Sequence, residues 1–103
     1  MTIQNANLTT TTSNIYVSSG STAAITFYFS NYNTVANATF SLWAVPNGDT
    51  PGNLNVLYSN VLVVAGDTYV MDRERLFLDN GDRLCGYANA NNTISCTLTY
   101  TTV

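Results

Sequence analysis

The sequence predicts an all-β chain folded as a two-layered antiparallel sandwich, and it does so through residue type, alternation and spacing. Helix formers are nearly absent: there is no lysine, Glu74 is the single glutamate and Gln4 the single glutamine. Thr, Val, Ile, Tyr and Phe, which suit a pleated and half-buried surface, abound instead. Short runs alternate apolar with polar residues at a period of two, the mark of a strand with one buried face. Clusters of Gly, Asn, Asp and Pro punctuate these runs roughly every 8 to 12 residues, the spacing of a small sandwich.

The elements follow in order. Residues 1–12, MTIQNANLTTTT, are almost purely polar and read as an extended N-terminal arm or an edge strand, ordered by a partner rather than alone. Leu8 to Thr12 and Asn14 to Ser18 supply one or two short strands, and Ser19-Gly20 turns into the next. In AAITFYFS, residues 23–30, Ala23, Ile25, Phe27 and Phe29 point inward by alternation. In ATFSLWAVP, residues 38–46, Ala38, Phe40, Leu42 and Ala44 do the same. Asn47 to Asn55 is the longest run of turn-forming residues and predicts an exposed excursion. Val56 to Val64, Thr68 to Met71, Arg83 to Ala88 and Thr93 to Tyr100 are further strands, the last with Ile94, Cys96, Leu98 and Tyr100 on one face.

About seven strands in a single domain spanning residues 1–103 fit an immunoglobulin-like antiparallel β-sandwich, with a small β-barrel as the alternative. The two cysteines are too few for a disulfide framework, and Cys85 and Cys96 are placed on adjacent strands of one hairpin. If Leu84, Gly86 and Ala88 share a side with Ile94, Cys96 and Leu98, Cys85 faces away from Cys96 and the thiols stay free.

Charge is scarce and concentrated. Only 9% of residues are charged and the net charge is −3, so nothing neutralises a run of phosphates and neither nucleic acid nor an anionic membrane is an expected partner. All three arginines and four of the six acids fall in MDRERLFLDNGDR, residues 71–83. The chain contains no histidine and no lysine, the usual carriers of protons near neutral pH, so no catalytic residue is assigned. Asp79 and Asp82 form the one tight carboxylate pair. They flank Asn80-Gly81, a turn signal in which Asp side chains accept backbone N–H groups. A calcium loop would use the same residues, but the twelve-residue spacing and its terminal glutamate are missing, so neither metal nor cofactor is expected. Asp72 to Arg75 alternates in sign, which lines opposite charges on opposite faces of an extended segment. Arg73, Glu74 and Arg75 are therefore candidate partner contacts.

Tyr28 and Trp43 alternate outward from the two strongest strands, with Val45 beside them. Such rings pack beneath a loop, anchor a protein interface or stack on sugars, and they complete the set of candidate binding residues.

From Asn7 onward the order of features resembles small immunoglobulin-like virion proteins of tailed bacteriophages, particularly cyanophages. The resemblance is carried by Asn14-Ile15-Tyr16 before Ser-Gly-Ser-Thr, the strands AAITFYFSNYN and ATFSLWAVPNG, LVVAGDTYVMD before LFLDNGDRL, and the closing ANANNTISCTLTY. It implies a non-enzymatic structural virion protein, made in the host cytoplasm and resident in the particle. The role implied is a capsid cement or decoration protein stabilising contacts between capsid subunits, or else a neck, tail or fibre component. The implied partners are the major capsid protein, other virion proteins and further copies of itself. A carbohydrate-binding module using Tyr28 and Trp43 is the competing expectation.

Overall fold

A computed structural model describes residues 2–72 and 75–103. The chain forms β1 (Thr2–Asn7), β2 (Ser13–Val17), β3 (Thr22–Asn31), β4 (Ala38–Val45), β5 (Val56–Val63), β6 (Thr68–Met71), β7 (Leu76–Leu78), β8 (Arg83–Ala88) and β9 (Ile94–Thr102). One sheet has the order β1-β9-β3-β6, with β7 also on β3; the other has the order β2-β8-β4-β5. Every pairing is antiparallel.

The all-β antiparallel sandwich is thus the fold expected, and its connectivity adds a finer point. The chain changes sheet at each of the three steps from β1 to β4, and β6 with β7 fills a single edge position along β3. In the immunoglobulin arrangement strands A and B share a sheet. Here β1 and β2 do not, and the alternation gives the strand order of a jelly roll.

The core lies between the sheets and is built on Phe27, Phe29, Phe40, Leu42, Leu84, Ile94 and Leu98, all inaccessible to solvent. Phe29 and Phe40 stack across the layers with ring centroids 4.0 Å apart. Burying side chains of this size stabilises the fold by about 1.5–3 kcal/mol each. Gly86 is where Leu8 and Ile15 come closest to the sheet: a Cβ there would meet Ile15 Cδ1 and Leu8 Cδ2, each at 2.6 Å.

Several expectations are corrected. The first strand is Thr2–Asn7 rather than Leu8 to Thr12: the polar segment is ordered as an edge by ladder bonds to β9, and Leu8 follows it as a buried plug. A bulge between Ala24 and Thr26 resets the alternation of β3. Thr22 and Ala24, not Ala23 and Ile25, share the inward side with Phe27 and Phe29, and Ile25 is left half-buried. Finally, β8 and β9 are not a hairpin but lie in opposite sheets. Cys96 is in the core, Cys85 is buried on the outer side of β8 beside Asn14, and both thiols are free.

Among the described residues, buried polar side chains are few and satisfied. Thr22 receives the Ser18 hydroxyl at 2.9 Å and meets the Tyr16 hydroxyl at 3.2 Å. Asn31, 2% exposed, donates through Nδ2 to Ala36 O and Val63 O, each at 3.0 Å, and accepts from Asn33 N through Oδ1. It ties the end of β3 to the end of β5, which fits the rule that a buried amide must find partners.

Candidate functional site

Of the charged residues described, only Arg83 lies within a strand; the others sit in turns, loops and the gap between β6 and β7. Apart from Arg83, which alternates outward on β8, the described strands therefore present neutral outer faces. On the β1-β9-β3-β6 sheet the outward residues include Ile3, Tyr28, Val70 and Phe77, with Thr97, Thr99 and Thr101 between them. Tyr28 is 40% exposed and pairs with Val70 on one side and Thr97 on the other.

Trp43 faces outward from the other sheet, opposite Cys85 and Val56, and is half-buried. The two aromatics thus lie on opposite outer faces of the sandwich and form no common platform. Val45, expected beside them on the surface, is 1% exposed. It lies where the 46–55 excursion closes back, with Ala44 N donating to Asn55 O at 3.0 Å and Arg83 Nη2 to Asp49 O at 2.7 Å. Alternation tells inside from outside, but a folded-back loop can bury an outward side chain.

The charged stretch occupies a defined place. Met71 pairs with Phe27 and Leu76 with Ala24, so β6 and β7 meet β3 on either side of Ile25 and Thr26. Arg73 and Glu74 lie outside the described residues. Asp72 and Arg75 are exposed, and Arg75 stands at a cleft of about 340 Å³ with Leu57, Tyr58, Met71 and Leu76. Tyr58 lies 5.6 Å from Tyr69, centroid to centroid, and burial together with the neighbouring Tyr69 phenol pushes its pKa up.

Asp82 has a structural task. Its Oδ2 accepts from Asp79 N and its Oδ1 from Asn47 N, both at 2.9 Å, which latches the exposed excursion onto the turn between β7 and β8. That turn crosses between sheets, with Asp82 N donating to Asp79 O at 3.1 Å and Gly81 at φ 86°. Leu78 and Leu84 on either side are core residues. Among the described residues no three His, Cys, Asp or Glu side chains are grouped as a metal ion would require, and no helix is long and apolar enough to cross a membrane.

No protein-family model, curated protein or solved structure matches the chain. What distinguishes one part of its surface from another is therefore its own edge geometry.

Two sheets have four edges, and exposed edges invite pairing with other chains unless they are bulged, charged or covered. Three of the four are irregular. β2 is bulged between Asn14 and Tyr16, β5 shifts register on both sides of Leu42, and β6 is separated from β7 by the charged segment. β1 differs: it pairs with β9 without a register shift from Thr2 to Asn7, and it carries neither charge nor proline.

The bonding pattern shows which groups it leaves outward. Leu8 N donates to Ile94 O at 2.9 Å, so Leu8 and Ile94 are a hydrogen-bonded pair. Alternation along an antiparallel ladder then commits Ala6, Gln4 and Thr2 to β9 and turns the N–H and C=O groups of Asn7, Asn5 and Ile3 to the free edge. The sequence offered an edge strand within residues 1–12 but not its bounds, because TIQNAN has no apolar alternation; its lack of charge and proline was the further signal available.

Proposed function

We propose that this chain is a non-enzymatic structural virion protein of a tailed phage, acting as a capsid cement or decoration protein that binds neighbouring subunits by strand addition. The observation that carries the reading is the uninterrupted, uncharged β1 edge beside a neutral outer face bearing Ile3 and Tyr28. Main-chain pairing at such an edge provides contact without charge, and repetition over a symmetric particle multiplies weak contacts. The resemblance to small phage virion proteins implies the same role, while the immunoglobulin-like strand order it carries is replaced here by that of a jelly roll. Jelly rolls recur in viral capsid and lectin domains, which is an analogy of fold alone. The absence of histidine and lysine favours a structural part over an enzyme. A sugar platform built on Tyr28 and Trp43 together is disfavoured, because they face away from each other.

In this reading the exposed Asp72 and Arg75 guard the β6/β7 edge rather than dock a partner. Mass spectrometry of purified particles with copy-number measurement tests the role. Presence at capsid stoichiometry supports it, a few copies per particle move it to the neck, tail or fibre, and absence overturns it. Asn5→Pro tests the edge, because it deletes an outward N–H and spares the β9 ladder. The variant is expected to fold and lose particle occupancy, whereas Gln4→Pro deletes a ladder bond and destabilises the sheet. Unchanged occupancy of folded Asn5→Pro would rule out strand addition at β1.

A further inference from the structure

Two turns of this chain contain the same tripeptide, Asn-Gly-Asp: Pro46-Asn47-Gly48-Asp49 and Asp79-Asn80-Gly81-Asp82. They also share a backbone form. Asp49 N returns to Pro46 O at 3.0 Å and Asp82 N to Asp79 O at 3.1 Å. The glycines have φ of 89° and 86°, as the third position of a type II turn requires. Neither sequence nor turn type separates the two.

Asn-Gly is the dipeptide in which a side-chain amide is most open to its own backbone, since glycine has no Cβ to obstruct approach. The glycine nitrogen attacks Asn Cγ, the Cγ–Nδ2 bond breaks, and ammonia leaves with the proton given up by that nitrogen. Water then opens the resulting succinimide at either carbonyl, giving aspartate or isoaspartate. Water is the only co-reactant. The step requires a glycine N–H free to lose its proton and an amide free to turn toward it.

The surroundings decide between the turns. At the second, Gly81 N donates to Ser18 O at 2.9 Å and Asn80 Oδ1 accepts from Gly20 N at 3.0 Å. Nucleophile and electrophile are both held by the 18–20 turn. At the first, neither Gly48 N nor the Asn47 side-chain amide makes a hydrogen bond among the described residues, and 46–50 are exposed. The Asn47 side chain rests on Gly81 by contact alone.

We propose that Asn47 is a covalent self-modification site, deamidating through Gly48 to aspartate and isoaspartate, while Asn80 in the same tripeptide is protected by the Ser18–Gly20 turn. The product has a consequence for the fold. Asn47 N is the group that Asp82 Oδ1 holds at 2.9 Å. A new carboxylate beside Asp82 repels it, and isoaspartate adds a methylene to the main chain at the latch. Modification therefore releases the 46–55 excursion from the β7–β8 turn.

The test is to incubate the folded protein in mildly alkaline buffer and follow both sites by peptide mapping that resolves isoaspartate. Protection by two hydrogen bonds predicts modification at Asn47 roughly tenfold or more faster than at Asn80. In urea the two rates should converge, because only folding distinguishes them. Asn47→Gln should abolish the fast site with the fold unchanged. Equal rates in the folded protein, or Asn80 reacting first, would overturn the proposal, as would a tenfold difference that persists in urea.

Discussion

Exchanging each cysteine for serine probes the sandwich from both sides. Cys96 is inaccessible, opposite Phe29 on β3 and within the core, so Cys96→Ser buries a hydroxyl among apolar neighbours. An uncompensated hydroxyl costs about 1–3 kcal/mol by mutational measures. For a domain of this size each kcal/mol lowers Tm by about 4–8 °C, so a fall of about 4–24 °C is expected. Cys85 is also buried, but its Sγ lies 3.3 Å from Asn14 Oδ1, and a serine hydroxyl can donate to the same acceptor. Cys85→Ser should stay within about 0.5 kcal/mol of the parent. Urea melts at constant m measure both. Alkaline stability gives a second reading. Burial pushes the Cys96 pKa from 9.0 up to about 12. The unfolded thiol ionises first, so this contribution is intact below pH 9 and is lost as pH rises from 9 toward 12. At pH 10 the loss is about 1.4 kcal/mol. Cys96→Ala removes it, so that variant should show a shallower alkaline slope than the parent. Equal costs for the two serine substitutions, or a disulfide in oxidised protein, would refute the placement of the thiols on opposite sides of their sheets.

Phe40→Ala removes the ring stacked on Phe29 and edge-on to Tyr58, and should cost about 3–5 kcal/mol in a urea melt. Asp82→Ala frees Asp79 N and Asn47 N and should cost about 1–2 kcal/mol by the same measurement. Hydrogen exchange at Asn47 should rise with it, whereas Asp79→Ala leaves that amide protected. Gly81→Ala forces a side chain to φ 86° and sets a Cβ 2.5 Å from Asn47 Nδ2, so a loss of about 1–2 kcal/mol is expected, with Asn47 resonances shifted in an amide NMR spectrum.

Much of the strand pattern was legible because alternation is a local property. Residues 38–45 and 94–102 show their inward faces in the sequence, and the opposed cysteines follow from parity alone. What escaped depends on partners far along the chain. The run from Ile25 to Ser30 alternates without a break, so nothing in it announces the bulge that β3 makes between two neighbours. TIQNAN is a strand only because β9 lies alongside it. Parity placed Tyr28 and Trp43 outside but could not say that their strands belong to different sheets. Asn31 looks like a turn residue until Val63 and Ala36 are brought to it. Arg73 and Glu74 lie outside the described residues, and only the exposed Arg75 of that trio has a described place, at the mouth of the cleft.

Thr2 lies opposite Tyr100, so the first and last strands meet at one corner of the sandwich and run away from it side by side. Tension applied through residues 2 and 102 would pull along the direction of the ladder bonds and load them singly, as a zipper opens. Anchored by that corner to two moving bodies, the domain would peel at β1 under low force and could close again behind it. Anchored through β1 and the far end of β9, the same bonds would share the load in shear.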